Sequence, residues 1–305
     1  MILEYKEIEY LQNIVIISCE EIVKDTCKEN YILAFNISIE NLNKNKLLDV
    51  ETEASEWGSE VCPKHFFFNH GQFREGGLEH ISNELKVKKT SNRALYSLLD
   101  QKKIIKSGDK PIPSFMVFQC LLSEDNSILS VAVYFRALEI SNFLKINLEE
   151  IRQNIIKIYE NNVKFESVNL LIIAGRAHHS PGQIPLKRAE IDLLEQLPLF
   201  RLLQSNRAKI RDMLIEKSEI QSVIEFRSLE LLKGCLEDQK IDNGLINKLN
   251  KIIYLYKELK KLRKVDTHTS QISDKNIEIK KELINLSEDI YSLESNLFEK
   301  TCVTK

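Results

Sequence analysis

The sequence has little of several features that define whole classes of protein. No apolar run approaches the roughly 18 residues that a membrane-spanning helix needs, and the start MILEYKEIEY is acidic, unlike a signal peptide. The six cysteines include no CxxC pair, which favours reduced thiols over a disulfide framework. The formal net charge is only −2, so the global basic surface of a nucleic-acid binder is missing. We therefore expect a cytoplasmic protein with neither a membrane nor a nucleic acid as partner.

Proline and glycine are also scarce, and their positions divide the chain. Pro181, Pro185 and Pro198 mark a boundary, after which the sequence has no proline and only Gly234 and Gly244. Such a stretch is typical of helices. A chain of 305 residues can bury one large core or two smaller ones. We predict two domains, residues 1–185 with a sheet and residues 186–305 with helices.

The first domain contains apolar runs with the composition of strands. NIVIIS from Asn13 and YILAFNISI from Tyr31 are rich in β-branched and aromatic residues, and we expect both to extend the sheet. Residues 148–162 have the apolar spacing of a helix that covers a sheet. The following run, residues 168–174, is apolar throughout and predicts a central strand that is buried on both faces.

The last part of the chain has the spacing of a coiled coil. One run of apolar residues alternates steps of four and three, and an earlier run shares the pattern with Lys248 as its polar member. The two runs are Ile279, Leu283, Leu286, Ile290, Leu293 and Leu297, and Leu245, Ile252, Leu255, Leu259 and Leu262. They predict a coiled-coil αα-hairpin. Its apolar seams would pack against each other or the core, or else join two chains or recruit a protein partner.

One short segment holds three residues that can bind metals. Cys62, His65 and His70 lie within nine residues, but zinc sites normally use four protein ligands, or three with a water. Aromatic packing of the HFFFNH segment explains the same pattern. We therefore predict no metal site.

Three segments carry most of the functional information, in a fixed order from Pro111 to Ser180. They are PIPSFMVFQC, VYFRAL and LLIIAGRAHHS, preceded by SNRAL at Ser91–Leu95. Their order and spacing resemble the catalytic half of the thymidylate synthase and pyrimidine-nucleotide (dCMP) hydroxymethylase family. The resemblance covers about residues 85–185. It implies an α+β fold, with a thymidylate-synthase-like sheet-and-helix domain followed here by the helical region.

The resemblance also implies roles for individual residues. Arg136 would bind the nucleotide phosphate, Asn147 would hydrogen-bond the pyrimidine edge, and His178 would contact the sugar. Gln119 matches the glutamine that follows the family's nucleophile by five residues. An asparagine can both donate and accept, so Asn147 suits a uracil-like edge, as in dUMP. Arg93 matches an arginine that reaches across a dimer interface to the partner's phosphate, which implies a homodimer through the sheet faces.

The departures from the family concern its chemistry. Ser114 stands where the family has its attacking cysteine, and a hydroxyl without an adjacent base is a poor nucleophile. The positions of other family site residues hold Phe115, Ala137, Glu139, Phe143 and Ser180. Cys120 is no substitute for the nucleophile, because six extended residues place it about 20 Å from Ser114.

The sequence therefore leaves three hypotheses. The favoured one is a protein that binds a pyrimidine deoxynucleotide without standard methyl transfer and acts as a nucleotide sensor or regulatory subunit. The second is an active methyl- or hydroxymethyltransferase with a non-standard nucleophile, and only this one would use methylenetetrahydrofolate as cofactor. The third is an assembly protein in which the coiled coil is the working part.

Overall fold

The computed structural model describes residues 4–107, 111–180, 186–220, 223–238, 243–265 and 270–293. The chain forms two compact units. The first consists of Met1–Pro63 and Phe68–Pro185, and the second of Lys64–Phe67 and Leu186–Lys305. The second unit thus includes a short segment from the N-terminal half of the chain, which the sequence did not indicate.

Within the described residues, the first unit is built on a six-stranded mixed sheet. Its strands are β1 (Lys6–Glu7), β2 (Cys27–Ser38), β3 (Leu95–Ser97), β4 (Phe115–Leu122), β5 (Ile128–Glu139) and β6 (Ser167–His178). Their order across the sheet is β1-β2-β6-β5-β4-β3. The β1/β2 and β5/β6 pairs are parallel and the other three pairs are antiparallel.

Helices of this unit pack mainly on one face of the sheet. They are α1 (Gln12–Glu21), α2 (Ile39–Lys44), α3 (Glu51–Gly58), α4 (Gly71–Arg74), α5 (Gly77–Val87), α6 (Gln101–Ser107) and α7 (Phe143–Glu160). The mixture of sheet and helices confirms the predicted α+β class. The prediction of a strand at NIVIIS is wrong, because this run lies in α1. Its buried residues Ile14, Val15 and Ser18 follow a helical spacing, and that packing outweighs the β propensity of single residues.

The longest helix of the first unit, α7, contacts β5 and the helices α1, α2, α3 and α5. Its apolar residues recur at steps of four and three and are buried in the core: Leu144, Leu148, Ile151, Ile155 and Ile158. The helix begins at Phe143, five residues before the predicted start. Asn147 therefore lies in its second turn.

The opposite face of the sheet is less covered. Side chains on this face belong to alternate residues of β4, β5, β6 and β2, and they are half-buried or exposed: Val117, Ala132, Tyr134, Leu171, Ile173, Ile32 and Ala34. Ile32 is 51 % exposed. β6 is a central strand, as predicted, but the prediction that it is buried on both faces is wrong. We call this surface the open sheet face.

The second unit consists mainly of helices over its described residues, with one isolated β-bridge between Phe66 and Lys187. Its helices are the 3-10 helix η1 (Glu190–Leu193) and α8 (Gln196–Ser205), α9 (Arg207–Glu219), α10 (Arg227–Asp238), α11 (Asn243–Val265) and α12 (Ser270–Tyr291). Lys248 pairs with Asp289, and Lys251 pairs with Glu282 at 2.7 Å, so α11 and α12 are antiparallel.

The predicted two-helix coiled coil is not confirmed. α12 packs against both α9 and α11, so its apolar seam is shared among several helices. Ile279, Leu283, Leu286 and Ile290 are buried in the core of this unit, whereas Leu297 lies outside the described residues. No helix in the described ranges is long and apolar enough to span a membrane.

Candidate functional site

Four strands begin or end at the same end of the sheet. β5 and β6 finish there, and β4 and β2 start there, because β5 and β6 are parallel and their other neighbours are antiparallel to them. Ser114 precedes β4, Arg136 lies near the end of β5, and His178 ends β6. Only residues 140–142 separate β5 from α7, so Asn147 is near the same end. We call Ser114, Arg136, Asn147 and His178 the strand-end cluster.

The guanidinium of Arg136 is held in place by the backbone before β4. Nε and Nη2 donate to the carbonyl oxygen of Pro113 at 3.4 and 3.2 Å, and Nη2 also donates to that of Ile112 at 3.3 Å. The residue is exposed, yet partial burial of its guanidinium lowers the pKa of Arg136; an arginine starts so high that it stays charged near neutral pH. Nη1 has no hydrogen-bond partner among the described residues. A fixed guanidinium with a spare N–H group is suited to binding phosphate.

Ser114 is half-buried and lacks an activating base. Its carbonyl oxygen accepts the backbone N–H of Arg136 at 2.8 Å, whereas its hydroxyl makes no hydrogen bond to any described residue. The next residue, Phe115, is buried, with ring centroids 5.0 Å from Phe135 and 5.3 Å from His70. Aromatic packing thus occupies the position after Ser114.

Glu139 fixes the start of α7. Its buried carboxylate accepts the backbone N–H groups of Ser141 at 2.9 Å, Asn142 at 2.7 Å and Phe143 at 3.1 Å. It also accepts the N–H of Ser180 at 3.2 Å, just after β6. A carboxylate at a helix N-terminus satisfies N–H groups that have no partner inside the helix. Glu139 therefore ties the start of α7 to the ends of β5 and β6.

A buried polar stripe runs along α7 from Asn147. Asn147, Glu150 and Asn154 follow at steps of three and four, so they lie on one side of the helix. Oε2 of Glu150 lies 2.6 Å from Nδ1 of His70, and Oδ1 of Asn154 accepts from Nη1 of Arg74 at 2.9 Å. Asn147 is thus one helical turn from the His70–Glu150 pair.

His178 occupies a fixed place in the sheet. It lies opposite Cys27 on β2 and beside Glu139 on β5, and its carbonyl oxygen accepts the N–H of Ile140 at 3.0 Å. The residue is only partly buried. A ring at this position can contact a ligand bound at the strand ends.

Gln119 lies apart from the strand-end cluster. It is paired with Ala132, four residues before Arg136 on β5, which places it about 13 Å along the sheet. Its amide donates to the backbone carbonyl of Asn92 at 3.2 Å. The structure therefore associates Gln119 with the segment around Arg93 rather than with Arg136.

Arg93 is the most exposed of the predicted residues. Its side chain is 83 % exposed, and its Nε lies 3.8 Å from Oε2 of Glu84. Exposed ion pairs of this length contribute little stability, so the guanidinium is available for other contacts. Arg93 is distant from the strand-end cluster of its own chain, since it precedes β3 at the edge of the sheet.

The pairing of His70 with Glu150 was not predicted from the sequence. Its backbone N–H donates to the carbonyl oxygen of Trp57 at 2.9 Å, and the two rings lie 4.9 Å apart. The neighbouring Asn69 donates to the carbonyl oxygen of Glu56 at 3.0 Å and so anchors the segment to α3. The partner Glu150 is far away in the sequence, so no local spacing could reveal the pair.

The three potential metal ligands named from the sequence are Cys62, His65 and His70. In the part of the chain that the structure describes, no three histidine, cysteine or acidic side chains lie together in a way that could hold a metal ion. His70 instead uses Nδ1 for Glu150.

Comparison with known proteins identifies no family. No protein-family model and no curated protein matches this chain. Among solved structures, it is similar to the thymidylate synthase from T4 phage, with a TM-score of 0.40 and 14 % sequence identity. The similarity covers 56 % of this chain and 76 % of that chain. We draw no functional conclusion from a likeness at this level.

Proposed function

We propose that this protein binds a pyrimidine deoxynucleotide such as dUMP and does not carry out standard methyl transfer. The phosphate would contact Arg136, the base would contact Asn147, and the sugar would contact His178. The observation that carries the proposal is that Arg136 and His178 lie near the ends of neighbouring parallel strands and that Asn147 lies in the helix directly after β5. Phosphate binding by a guanidinium needs no nucleophile, so the proposal is compatible with Ser114.

The proposal that methyl transfer is lost rests on Ser114, which stands at the position of the family's attacking cysteine. Among the described residues, nothing hydrogen-bonds the hydroxyl of Ser114, so no base is in place to activate it. Cys120 cannot replace it, because the thiol is fully buried in the sheet and burial strongly raises its pKa. A thiol that stays protonated is a poor nucleophile. We therefore propose no folate cofactor for this chain.

We propose further that two copies associate through the open sheet face. Ile32 and Ile173 lie opposite each other in the middle of this surface, with Leu171 and Tyr134 nearby. Burying such apolar side chains is favourable, and a typical interface removes about 800 Å² from each partner. The exposed Arg93 is then the residue that would reach the phosphate site of the partner subunit. The helical unit would carry the response to a protein partner.

Calorimetric titration of dUMP and dCMP into the purified protein tests the nucleotide proposal. We expect binding of at least one, with dUMP preferred, and an affinity loss of about tenfold or more in Arg136→Ala. Arg227→Ala is the matched control, because Arg227 is an exposed arginine of the helical unit that pairs with Glu195. If neither nucleotide binds, or if Arg136→Ala binds as well as the unaltered protein, the proposal is wrong.

The enzymatic alternative has its own test. Tritium release from carbon 5 of labelled dUMP in the presence of methylenetetrahydrofolate measures the first half of the transfer reaction. We expect no release above background. Release that disappears in Ser114→Ala would establish an active transferase with a non-standard nucleophile.

A further inference from the structure

The His70–Glu150 pair has one ring nitrogen that the fold does not use. Oε2 of Glu150 lies 2.6 Å from Nδ1 of His70, and both side chains are buried. A carboxylate can only accept, so Nδ1 carries a hydrogen, and in a neutral imidazole bonded in this way the lone pair is on Nε2. No group of the described residues hydrogen-bonds Nε2, although His70 is only 7 % exposed.

An arginine and a tyrosine lie near the Glu150 carboxylate. Arg74 and Glu150 both lie close to Gly58. A Cβ atom added to Gly58 would be 3.8 Å from Nη1 of Arg74 and 4.0 Å from Cγ of Glu150. The guanidinium is held there by the carbonyl oxygen of Gly58 at 2.8 Å and by Asn154. Tyr96 faces the same group, and burial raises the pKa of its hydroxyl, so it stays neutral.

Aromatic rings fix the orientation of the imidazole. The Trp57 ring lies 4.9 Å from the His70 ring, and Phe115 meets it edge to face at 5.3 Å. The backbone of the next residue, Gly71, packs closely against Ser59. A Cβ atom added to Gly71 would lie 2.0 Å from the carbonyl oxygen of Ser59. Two aromatic rings therefore contact the imidazole, in addition to its hydrogen bond with Glu150. Such a fixed acceptor is suited to recognising a donor group of a ligand.

Two residues that contact His70 lie next to Ser114 and Asn147 in the fold. Phe115, which contacts its ring, directly follows Ser114. Glu150, which binds its Nδ1, lies one helical turn after Asn147. The imidazole thus connects the start of β4 with the second turn of α7.

We infer that His70 contacts the bound pyrimidine nucleotide, with Nε2 accepting a hydrogen bond from an N–H or O–H group of that ligand. This inference rests on the proposed function and adds a residue to its site. Glu150 is a positioning residue, which fixes the tautomer and the orientation of the ring.

Two substitutions of His70 test the roles of its two ring nitrogens separately. In His70→Asn the amide nitrogen lies as many bonds from Cβ as Nδ1, so it keeps a donor for Glu150 and removes the acceptor. In His70→Gln the side-chain oxygen can lie where Nε2 was, so the acceptor is kept. The matched control is His65→Asn, which changes a histidine of the second unit.

The experiment is titration calorimetry with dUMP, together with thermal unfolding of each variant. We expect His70→Asn to weaken dUMP binding about tenfold or more while it remains folded, because a buried ligand donor loses its acceptor. We expect a smaller loss in His70→Gln and none in His65→Asn. Equal binding by His70→Asn and the unaltered protein would overturn the inference and leave the proposed function standing. If the unaltered protein binds neither dUMP nor dCMP, both fall.

A second measurement needs no variant. In the 15N spectrum of the labelled protein at neutral pH, we expect Nε2 of His70 to be the unprotonated ring nitrogen, and its signal to shift when dUMP is added. A protonated Nε2, or a signal that dUMP leaves unchanged while dUMP binds, would contradict the inference. This spectrum decides the question even where His70→Asn fails to fold.

Discussion

Lys217 is paired with Asp192 in the interior of the helical unit. Its Nζ lies 2.7 and 2.6 Å from the two carboxylate oxygens, and each side chain is only 4 % exposed. The third donor of the ammonium group goes to the carbonyl oxygen of Glu225 at 2.7 Å, and the hydroxyl of Ser228 donates to Asp192. The pair thereby joins η1, α9 and the region before α10. Burial lowers the pKa of Lys217 and raises that of Asp192, since it disfavours both charges.

Breaking this pair is expected to cost far more than breaking a surface pair. Lys217→Met leaves Asp192 buried without its counter-charge, and we expect the free energy of unfolding to fall by about 3–5 kcal/mol. Urea unfolding followed by circular dichroism measures the change. The matched control is Lys209→Met, because the ion pair of Lys209 with Glu190 is exposed and its loss should cost less than about 1 kcal/mol. Similar losses in both variants would contradict the prediction.

Asp125 organises the turn between β4 and β5. Its carboxylate accepts the backbone N–H of Ser127 at 3.0 Å and the hydroxyls of Ser123 and Ser127. These hydrogen bonds lower its pKa to about 2. A lowered pKa in the folded state means that the stabilisation is complete above the unfolded value, near 4, and is lost as the pH falls towards 2.

Asp125→Asn should therefore lower the melting temperature at pH 7. The difference in melting temperature from the unaltered protein should become smaller as the pH falls from 4 to 2. Melting curves of both proteins across this range measure the difference. Glu124→Gln, at the neighbouring position, is the matched control. A difference between Asp125→Asn and the unaltered protein that stays constant down to pH 2 would show that the carboxylate does not hold the turn.

The apolar seam of α12 is expected to stabilise its own unit. Leu283 is fully buried, whereas the next residue, Ile284, is 36 % exposed. Leu283→Ala should lower the free energy of unfolding by about 2–5 kcal/mol, and Ile284→Ala by much less. Chemical denaturation of the two variants compares them directly. The reverse order would mean that the seam serves a partner rather than this unit.

Local sequence patterns were sufficient to predict secondary structure where the element is determined by the burial of its apolar residues. The spacing of Leu148, Ile151 and Ile155 predicts a helix, and α7 has them in its buried face. The apolar run at 168–174 predicts a central strand, and β6 is one. The run cannot reveal which face is covered, because Ile173 and Ile172 are equally apolar although only Ile172 is buried.

Contacts between residues that are far apart in the sequence could not be predicted from local patterns. NIVIIS has the composition of a strand, yet it is helical in α1 because Ile14 and Val15 pack on a core that other segments complete. His70 and Glu150 are joined only by the fold, so His70 looked like a metal ligand or a packing residue. Ser114, Arg136 and His178 could be named from the sequence because the resemblance specified residues at strand ends, and their role in binding stays a prediction.

Association through the open sheet face would bury two residues, Ile32 and Ile173, in the interface. Ile32 and Ile173 lie directly opposite each other on β2 and β6, on the less covered side of the sheet. Placing two charges there, in Ile32→Lys with Ile173→Lys, would bury like charges in the interface and should convert a dimer into a monomer. Sedimentation velocity over a range of concentrations measures the masses.

The fold itself should tolerate these lysines, because neither side chain belongs to the buried core. We expect the far-UV spectrum to be unchanged and the melting temperature to fall only by the contribution of the lost dimer. Leu197→Lys, at a 58 % exposed apolar residue of α8, is the matched control and should leave the mass unchanged. A monomeric unaltered protein, or a double variant that stays dimeric, would exclude the open sheet face as the interface. Arg93 would then have no partner site to reach, and its substitution by alanine should leave nucleotide affinity unaffected.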